Sequence, residues 1–420
     1  MRAILLLLSV LALSAAVKAQ DVILVPDAIF DGTSDTLIRS KAVVVKSGRI
    51  SAIIDRSDAN ASEDLPVVDL SGQTLLPGLI DLHSHVLLHP YDETGWNEQV
   101  LNESWAERAL RAGNHLKATL HAGYTTLRDL GSEGAGYVDV GVRQALEKGV
   151  IEGPRLIVAG RAIVATGSYG PKGFAEHVSV PLGAEPADAD DLVRVTRDQI
   201  GHGADFIKVY ADYRWGPNGE AMPTFSVEEI RTIVETAQSS GRYTVAHATT
   251  PESMQRAILG GVETIEHGST GDAETFALMR EKGVAWCPTL AAGEAISMYQ
   301  GWQKGVDADP KRVIDQKRAF EQALETGVIM CAGSDVGVFD HGDNAWELEL
   351  MVEYGMNPVD VLRSATSINA KLLHMENDIG QVREGWVADL IAVKGNPLET
   401  VSSLRQVSFV MQEGRIVKTN

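Results

Sequence analysis

The spacing of apolar residues along this chain changes character twice. Residues 21 to 75 read as short strands and turns. Within them, VVVKSGRISAIID is two alternating segments joined at Ser47-Gly48, the pattern of a β-hairpin. VSFVMQEGRIVKTN, near the other end, repeats the scheme with Glu413-Gly414 as its turn, and GRI occurs in both copies. Two similar hairpins at opposite ends predict one small β-sandwich-like domain built from residues 20–75 and 383–420, with a larger domain, 76–382, inserted between them.

The middle has a different rhythm. Short apolar strands alternate with helical stretches, the βαβ signature of a parallel sheet. Eight segments qualify as strands: LLPGLIDLHSH, GYTTLRDL, RLIVAG, DFIKVYA, YTVAHA, TIEHG, AWCPTL and VIMCAGSD. Between them lie helical patterns such as SWAERALRAGNHLKATLHAG and SVEEIRTIVETAQSSG, the second ending at Gly241 as a helix C-terminus should. Eight βα units predict an α/β fold of the TIM (β/α)8 barrel type. A doubly wound open sheet is the alternative, although no GxGxxG follows the first strand. Two long connections, 166–191 and 291–310, would lie on the C-terminal face, where barrel active sites form.

The first residues differ in kind. MRAILLLLSVLALSAAVKAQ has a basic start, an apolar run and small residues up to Ala19, which describes a signal peptide (1–19) cleaved after Ala19. The run is shorter than the ~20 residues a membrane span needs, so export is favoured over a membrane anchor. The protein is therefore expected to be secreted or periplasmic, with no stable membrane association. Loss of Arg2 and Lys18 takes the formal charge from −20 to −22, which argues against nucleic acid as a partner. Only two cysteines occur, Cys287 and Cys331, both in apolar runs. They are expected to be buried free thiols rather than a disulfide framework.

Candidate chemistry gathers at one kind of place, the C-terminal end of a predicted strand. His83 and His85 end the first, Lys208 lies near the end of the fourth, His247 ends the fifth, His267 the sixth and Asp335 the eighth. Residues i and i+2 of a strand share a face, so His83 and His85 can grip one metal. Any one of these histidines alone reads equally as a satisfied core group, and Asp335 could merely cap the next helix. Lys208 is harder to explain away. An amine inside FIKVY would face the barrel interior at a large desolvation cost unless something compensates it.

The segments PGLIDLHSH, FIKVY, VAHA, IEHG and AGSD resemble the signatures of the amidohydrolase superfamily, in the branch of imidazolonepropionase-like proteins, metal-dependent Xaa-Pro dipeptidases and ochratoxinases. The resemblance spans the whole mature chain, including the C-terminal GWVADLIAV. It implies two divalent metal ions: His83, His85 and Asp335 hold the more buried one, and His247 and His267 the more exposed one. It also implies that Lys208 is carboxylated by CO2, its carbamate bridging the pair. Imidazole and carboxylate ligands suit Zn²⁺ best, with Mn²⁺, Co²⁺ or Fe²⁺ as alternatives. The implied reaction is attack of a metal-bridging hydroxide on an amide carbonyl, with Asp335 as the catalytic acid–base.

Around this set, Tyr210, Tyr213 and Arg214 of ADYRWGPNGE and His341 of VFDHGD are candidate substrate-binding residues, Arg214 or a tyrosine for a substrate carboxylate. Thr249 stands where dipeptidase members are expected to carry a tyrosine. His89, His115, His121, His177, His202 and His374 default to surface or packing roles, His177 being the one worth testing. The expectation is an enzyme acting on a small molecule: it cleaves an amide next to a free carboxylate, as in Xaa-Pro-type dipeptides or N-acyl amino acids including ochratoxin A. The alternatives are a lactonase or cyclic-amide hydrolase on the same binuclear site, a mononuclear deaminase, and a non-catalytic relative. A homo-oligomer is expected.

Overall fold

The computed structural model describes residues 19–61 and 64–419. The leader lies outside them. Both hairpins are present. Lys41–Lys46 pairs antiparallel with Arg49–Asp55 through Lys46↔Arg49, and Val407–Gln412 pairs with Arg415–Thr419 through Gln412↔Arg415. Each turn has two residues at positive φ, Ser47 (51°) with Gly48 (80°) and Glu413 (50°) with Gly414 (73°). That is the type I′ geometry, whose twist matches the strands it joins.

Strands from the two chain ends share one sheet. Its order is Arg415–Thr419, Val407–Gln412, Leu390–Lys394, Val67–Pro77, Val22–Ile29, Lys41–Lys46 and Arg49–Asp55, with Ile38–Arg39 paired to Val22–Ile29. The sheet curls back on itself. The backbone N–H of Gly414 donates to the Ala388 carbonyl, and that of Ala388 donates to the Gly48 carbonyl. The two turn glycines touch closely enough that a Cβ on Gly414 would lie 2.6 Å from the Gly48 Cα. Leu24, Val43, Leu75, Leu390 and Phe409 are buried along its inner face. Val67–Pro77 runs past the boundary expected at residue 75, so the change of architecture falls at Gly78.

Parallel strands follow in chain order. Leu79–Ser84, Tyr124–Asp129 and Arg155–Val158 form one sheet. Ile163–Val164, Ile207–Tyr210, Thr244–Ala248, Thr264–His267 and Ala285–Cys287 form a second, to which Glu185–Pro186 adds an edge. The Asp205 N–H donates to the Val158 carbonyl across one gap between the sheets. The eighth candidate, VIMCAGSD, is not a regular strand. It crosses the other gap by single bridges, Trp286↔Met330 and Ser84↔Val336, and by Leu82 N–H to the Ala332 carbonyl. The reason is local: Gly333 runs so close to His83 that a Cβ would lie 2.9 Å from its Cβ, and Asp335 leaves the extended region at φ 62°. The order shows no reversal point, as a doubly wound sheet would require. The arrangement is a TIM-barrel-like α/β fold.

Helices between the strands are set by their ends and one apolar face. Trp105–His121 is capped by Ser104, whose Oγ accepts from the Glu107 N–H, and it buries Ala112, Leu116 and Leu120. A leucine so buried contributes about 1.5–3 kcal/mol. Val227–Gln238 opens with a reciprocal Ser226–Glu229 capping box and stops three residues short of Gly241. The segment expected as a loop from 291 contains the helix Leu290–Tyr299. It lacks a one-sided apolar stripe because it is packed between Lys311–Thr326 and Ala345–Glu353, so periodicity gave no helix signal.

Cys287 and Cys331 are joined in a disulfide, not free as expected. The fold sets Trp286 beside Met330, which brings residues 44 apart in sequence to a Cα separation of 4.9 Å. Replacing both cysteines by alanine is expected to lower stability by about 2–4 kcal/mol through freeing that loop in the unfolded chain. Urea denaturation of the variant measures this, and an unchanged midpoint would refute it.

Candidate active site

His83 is the penultimate residue of Leu79–Ser84 and His85 follows the strand directly, so both rings face the C-terminal mouth of the parallel strands. Each lies 3.5 Å through Nε2 from Oδ1 of Asp335. His267 ends Thr264–His267 and approaches Asp335 Oδ2 through Nδ1 at 3.9 Å. His83, His267 and Asp335 offer ligand atoms within 4.8 Å of one another. The ring centroids of His247 and His267 are 4.6 Å apart, which brings the fifth-strand histidine into the cluster. Lys208 is 1% exposed in the middle of Ile207–Tyr210 and, among the described residues, makes no hydrogen bond or ion pair. His85 and His247 reach that group of three through Asp335 and His267, and the Lys208 Nζ lies 5.4 Å from the Tyr210 ring, which stacks on His247.

A divalent cation fits this set, because three of the four rings are already hydrogen-bonded through one nitrogen. Nδ1 of His83 is 2.8 Å from Glu266, Nδ1 of His85 is 3.1 Å from the Gly131 carbonyl, and Nδ1 of His267 is 2.8 Å from Thr289 Oγ1. His247 approaches Asp212 Oδ1 at 3.2 Å through Nε2. The other nitrogen of each ring is left for a ligand, the arrangement that orients metal-binding histidines. Burial, reinforced by neighbouring positive groups, holds His83 and His267 well below the usual histidine range, and burial lowers His85 too. The neutral rings keep a lone pair to donate. Burial lowers Lys208 to about 8 against the attraction of Glu266 and Asp335, and burial raises the Asp335 carboxyl well above the usual range.

The supporting groups are ones that sequence reasoning missed. Arg128 and Glu266 form an ion pair at 2.8 Å with both side chains 0% exposed, and this pair holds His83. Asp81 accepts from the backbone N–H of His83 (2.9 Å) and Ser334 (3.0 Å), and from Asn344 Nδ2 (2.7 Å), which ties the first strand to the Asp335 segment. Asp212 Oδ2 accepts from the N–H groups of Thr249 and Thr250 and from Ser253 Oγ. Asp81 lies two residues before His83 and Glu266 directly before His267, so alternation and adjacency were the available signals. Glu133, His267, Thr289 and Asp335 all hold positive φ without being glycine. Backbone strain of this kind gathers at functional sites.

A cavity of about 220 Å³ opens over the cluster. Tyr210 and Tyr213 line it, Tyr210 stacking on His247 at 4.6 Å and donating its hydroxyl to Glu133 at 3.2 Å. Tyr169, Ala292, Gly293 and Ile296 bring both long connections into the wall. Two expected substrate residues do not line it. Arg214 is exposed at the rim, and His341 is half-buried with Nε2 2.9 Å from the Leu88 carbonyl and its ring stacked on His115. His177 is exposed and also outside the cavity.

Histidines, a carboxylate and an unpaired lysine around a small cavity at the strand ends define a hydrolase site suited to a divalent cation. The chain belongs to the amidohydrolase family, whose model matches residues 74–419. It is 31% identical over 373 residues to the ochratoxinase of Aspergillus niger, covering 82% of this chain and 75% of that enzyme. A Xaa-Pro dipeptidase solved with methionine in its active site superposes with a TM-score of 0.84 at 30% identity, covering 95% of this chain and all of that one. A prolidase solved with N-methylphosphonate-L-proline gives 0.81 at 29% identity, covering 95% and 100%. The protein is thus a hydrolytic enzyme that acts on C–N bonds of small-molecule substrates, and its linkage is an amide.

Proposed function

We propose that this enzyme cleaves an amide bond next to a free carboxylate, in Xaa-Pro-type dipeptides or N-acyl amino acids such as ochratoxin A. The observation that carries the binuclear site is Lys208, a buried amine that makes no hydrogen bond or ion pair among the described residues. As a carbamate it would be an anionic oxygen ligand, and His83, His85 and Asp335 would hold one divalent ion and His247 and His267 a second. Zn²⁺ suits these donors best. When bound, the ions supply Lewis acidity and lower the pKa of water. The chain's own residues do the rest. Asp335 faces His83 and His85 through Oδ1, which leaves Oδ2 to accept the proton of the attacking water and return it to the leaving amine. Tyr169, Tyr210 and Tyr213 shield the site from bulk water and shape its acyl side.

The leader and the buried disulfide both support an exported protein, since such bonds persist in oxidising compartments. Among the described residues no helix is long and apolar enough to cross a membrane. The shared sheet supports a composite β-domain of residues 20–75 and 383–420 around the barrel, and its edge strands suit a homo-oligomer.

The test is a panel of dipeptides, N-acyl amino acids and lactones with the purified, Zn²⁺-loaded protein. Hydrolysis of carboxylate-bearing amides is expected. Turnover of lactones alone would overturn the amide reading.

A further inference from the structure

Among the described residues, the cavity wall contains one permanent cation, and it is not a residue that any motif pointed to. Arg312 is the second residue of the helix Lys311–Thr326, exposed at the cavity mouth. Among the described residues it makes neither a hydrogen bond nor an ion pair, whereas its neighbours on the same helix do. Lys311 and Arg318 both take Asp315, at 2.5 and 3.3 Å. The cavity's two carboxylates are committed elsewhere. Glu133 accepts from Trp96, Tyr169 and Tyr210, and Asp335 faces His83 and His85. The charge of Arg214, on the rim, acts on Arg312 by repulsion, and the helix has no acidic residue in its first turn. One turn further along, Gln316 lines the same cavity, with Oε1 buried and unpaired. An uncompensated guanidinium at the positive end of a helix, reinforced by a second arginine, is a place prepared for an anion.

We propose that Arg312 binds the carboxylate of the substrate's amino-acid half, with Arg214 adding long-range attraction at the rim. This rests on the amide-hydrolase reading above and makes it more specific: the product released at the mouth is an α-amino acid. Arg312 is a specificity residue. Its fork matches a carboxylate in two parallel hydrogen bonds, and the rigid helix holds it at a fixed distance from the metal-ligating cluster. A C-terminal amide presents no charge and loses one of the two acceptors.

The probes are glycyl-L-proline and N-acetyl-L-phenylalanine, each compared with its C-terminal amide, on the Zn²⁺-loaded enzyme. The wild type is expected to favour the free acids by about 10–100-fold, the worth of a charge-assisted pair, and mainly through KM. Arg312→Met should remove that preference by raising KM for the two free acids far more than for the two amides, with circular dichroism and Zn²⁺ content like the wild type reporting that the variant is folded. Arg312→Lys should restore part of it, and Arg214→Gln should change it by less than Arg312→Met does. Equal use of acid and amide by the wild type, or a preference that survives in Arg312→Met, overturns the assignment and leaves the amide-hydrolase reading standing. No hydrolysis of any of the four compounds by the wild type overturns both.

Discussion

Replacing Lys208 with alanine is expected to abolish metal binding and hydrolysis while leaving the metal-free protein at least as stable as before. The side chain is 1% exposed and makes no hydrogen bond or ion pair among the described residues, so in the apo protein the cost of desolvating an amine outweighs the attraction of Glu266 and Asp335. Its loss opens a small cavity but removes that cost. For the loaded enzyme the balance reverses. Without an anionic bridge, two cations would face each other across a cluster of neutral imidazoles and a single carboxylate, and the site would no longer hold both. Losing metal-assisted attack removes several kcal/mol of transition-state stabilisation, so kcat/KM should fall by at least about 10³-fold. Elemental analysis after dialysis, urea denaturation of the apo form and substrate turnover together decide this. Full activity with two ions per chain would sink the bridging role of Lys208.

Arg128→Met should produce the largest loss of stability. Arg128 and Glu266 are both 0% exposed and share a 2.8 Å contact. Removing the guanidinium leaves a buried carboxylate facing only Thr264 and His83, a change that costs about 3–5 kcal/mol. The double variant Arg128→Met/Glu266→Leu buries no lone charge and should recover most of that loss. It also leaves His83 Nδ1 without its acceptor, so affinity for Zn²⁺ should still fall by about 10–100-fold. Chemical denaturation reports the first effect and a chelator competition the second. If the double variant bound metal like the wild type, the pair would be a stability device alone.

These two residues illustrate how unevenly the site could be read. Lys208 announced itself because a lysine within FIKVY has no bland explanation, whereas Arg128 sits in GYTTLRDL as one charge among many in the sequence. Its role depends on Glu266, 138 positions away. Arg214 was chosen for lying near Lys208 along the chain, yet the structure turns it to the rim and supplies Arg312 from a distant helix. Proximity in sequence does not survive the turn after a strand. The cysteines failed for a related reason: local apolarity predicted burial correctly, but pairing depends on which segments become neighbours.

By itself the sequence determined the two hairpins and their turns, the alternation of parallel strands and helices, and the histidines that close the first, fifth and sixth strands. All of these are local: they follow from side-chain periodicity and from which residues tolerate a given φ. Only the tertiary structure decided that the chain ends share one sheet, that the eighth segment crosses its gap as an irregular link, and that Cys287 meets Cys331. It also decided which charges support the histidines and which arginine reaches the cavity. Those outcomes depend on distances between segments far apart in the chain, which are fixed only when the core packs.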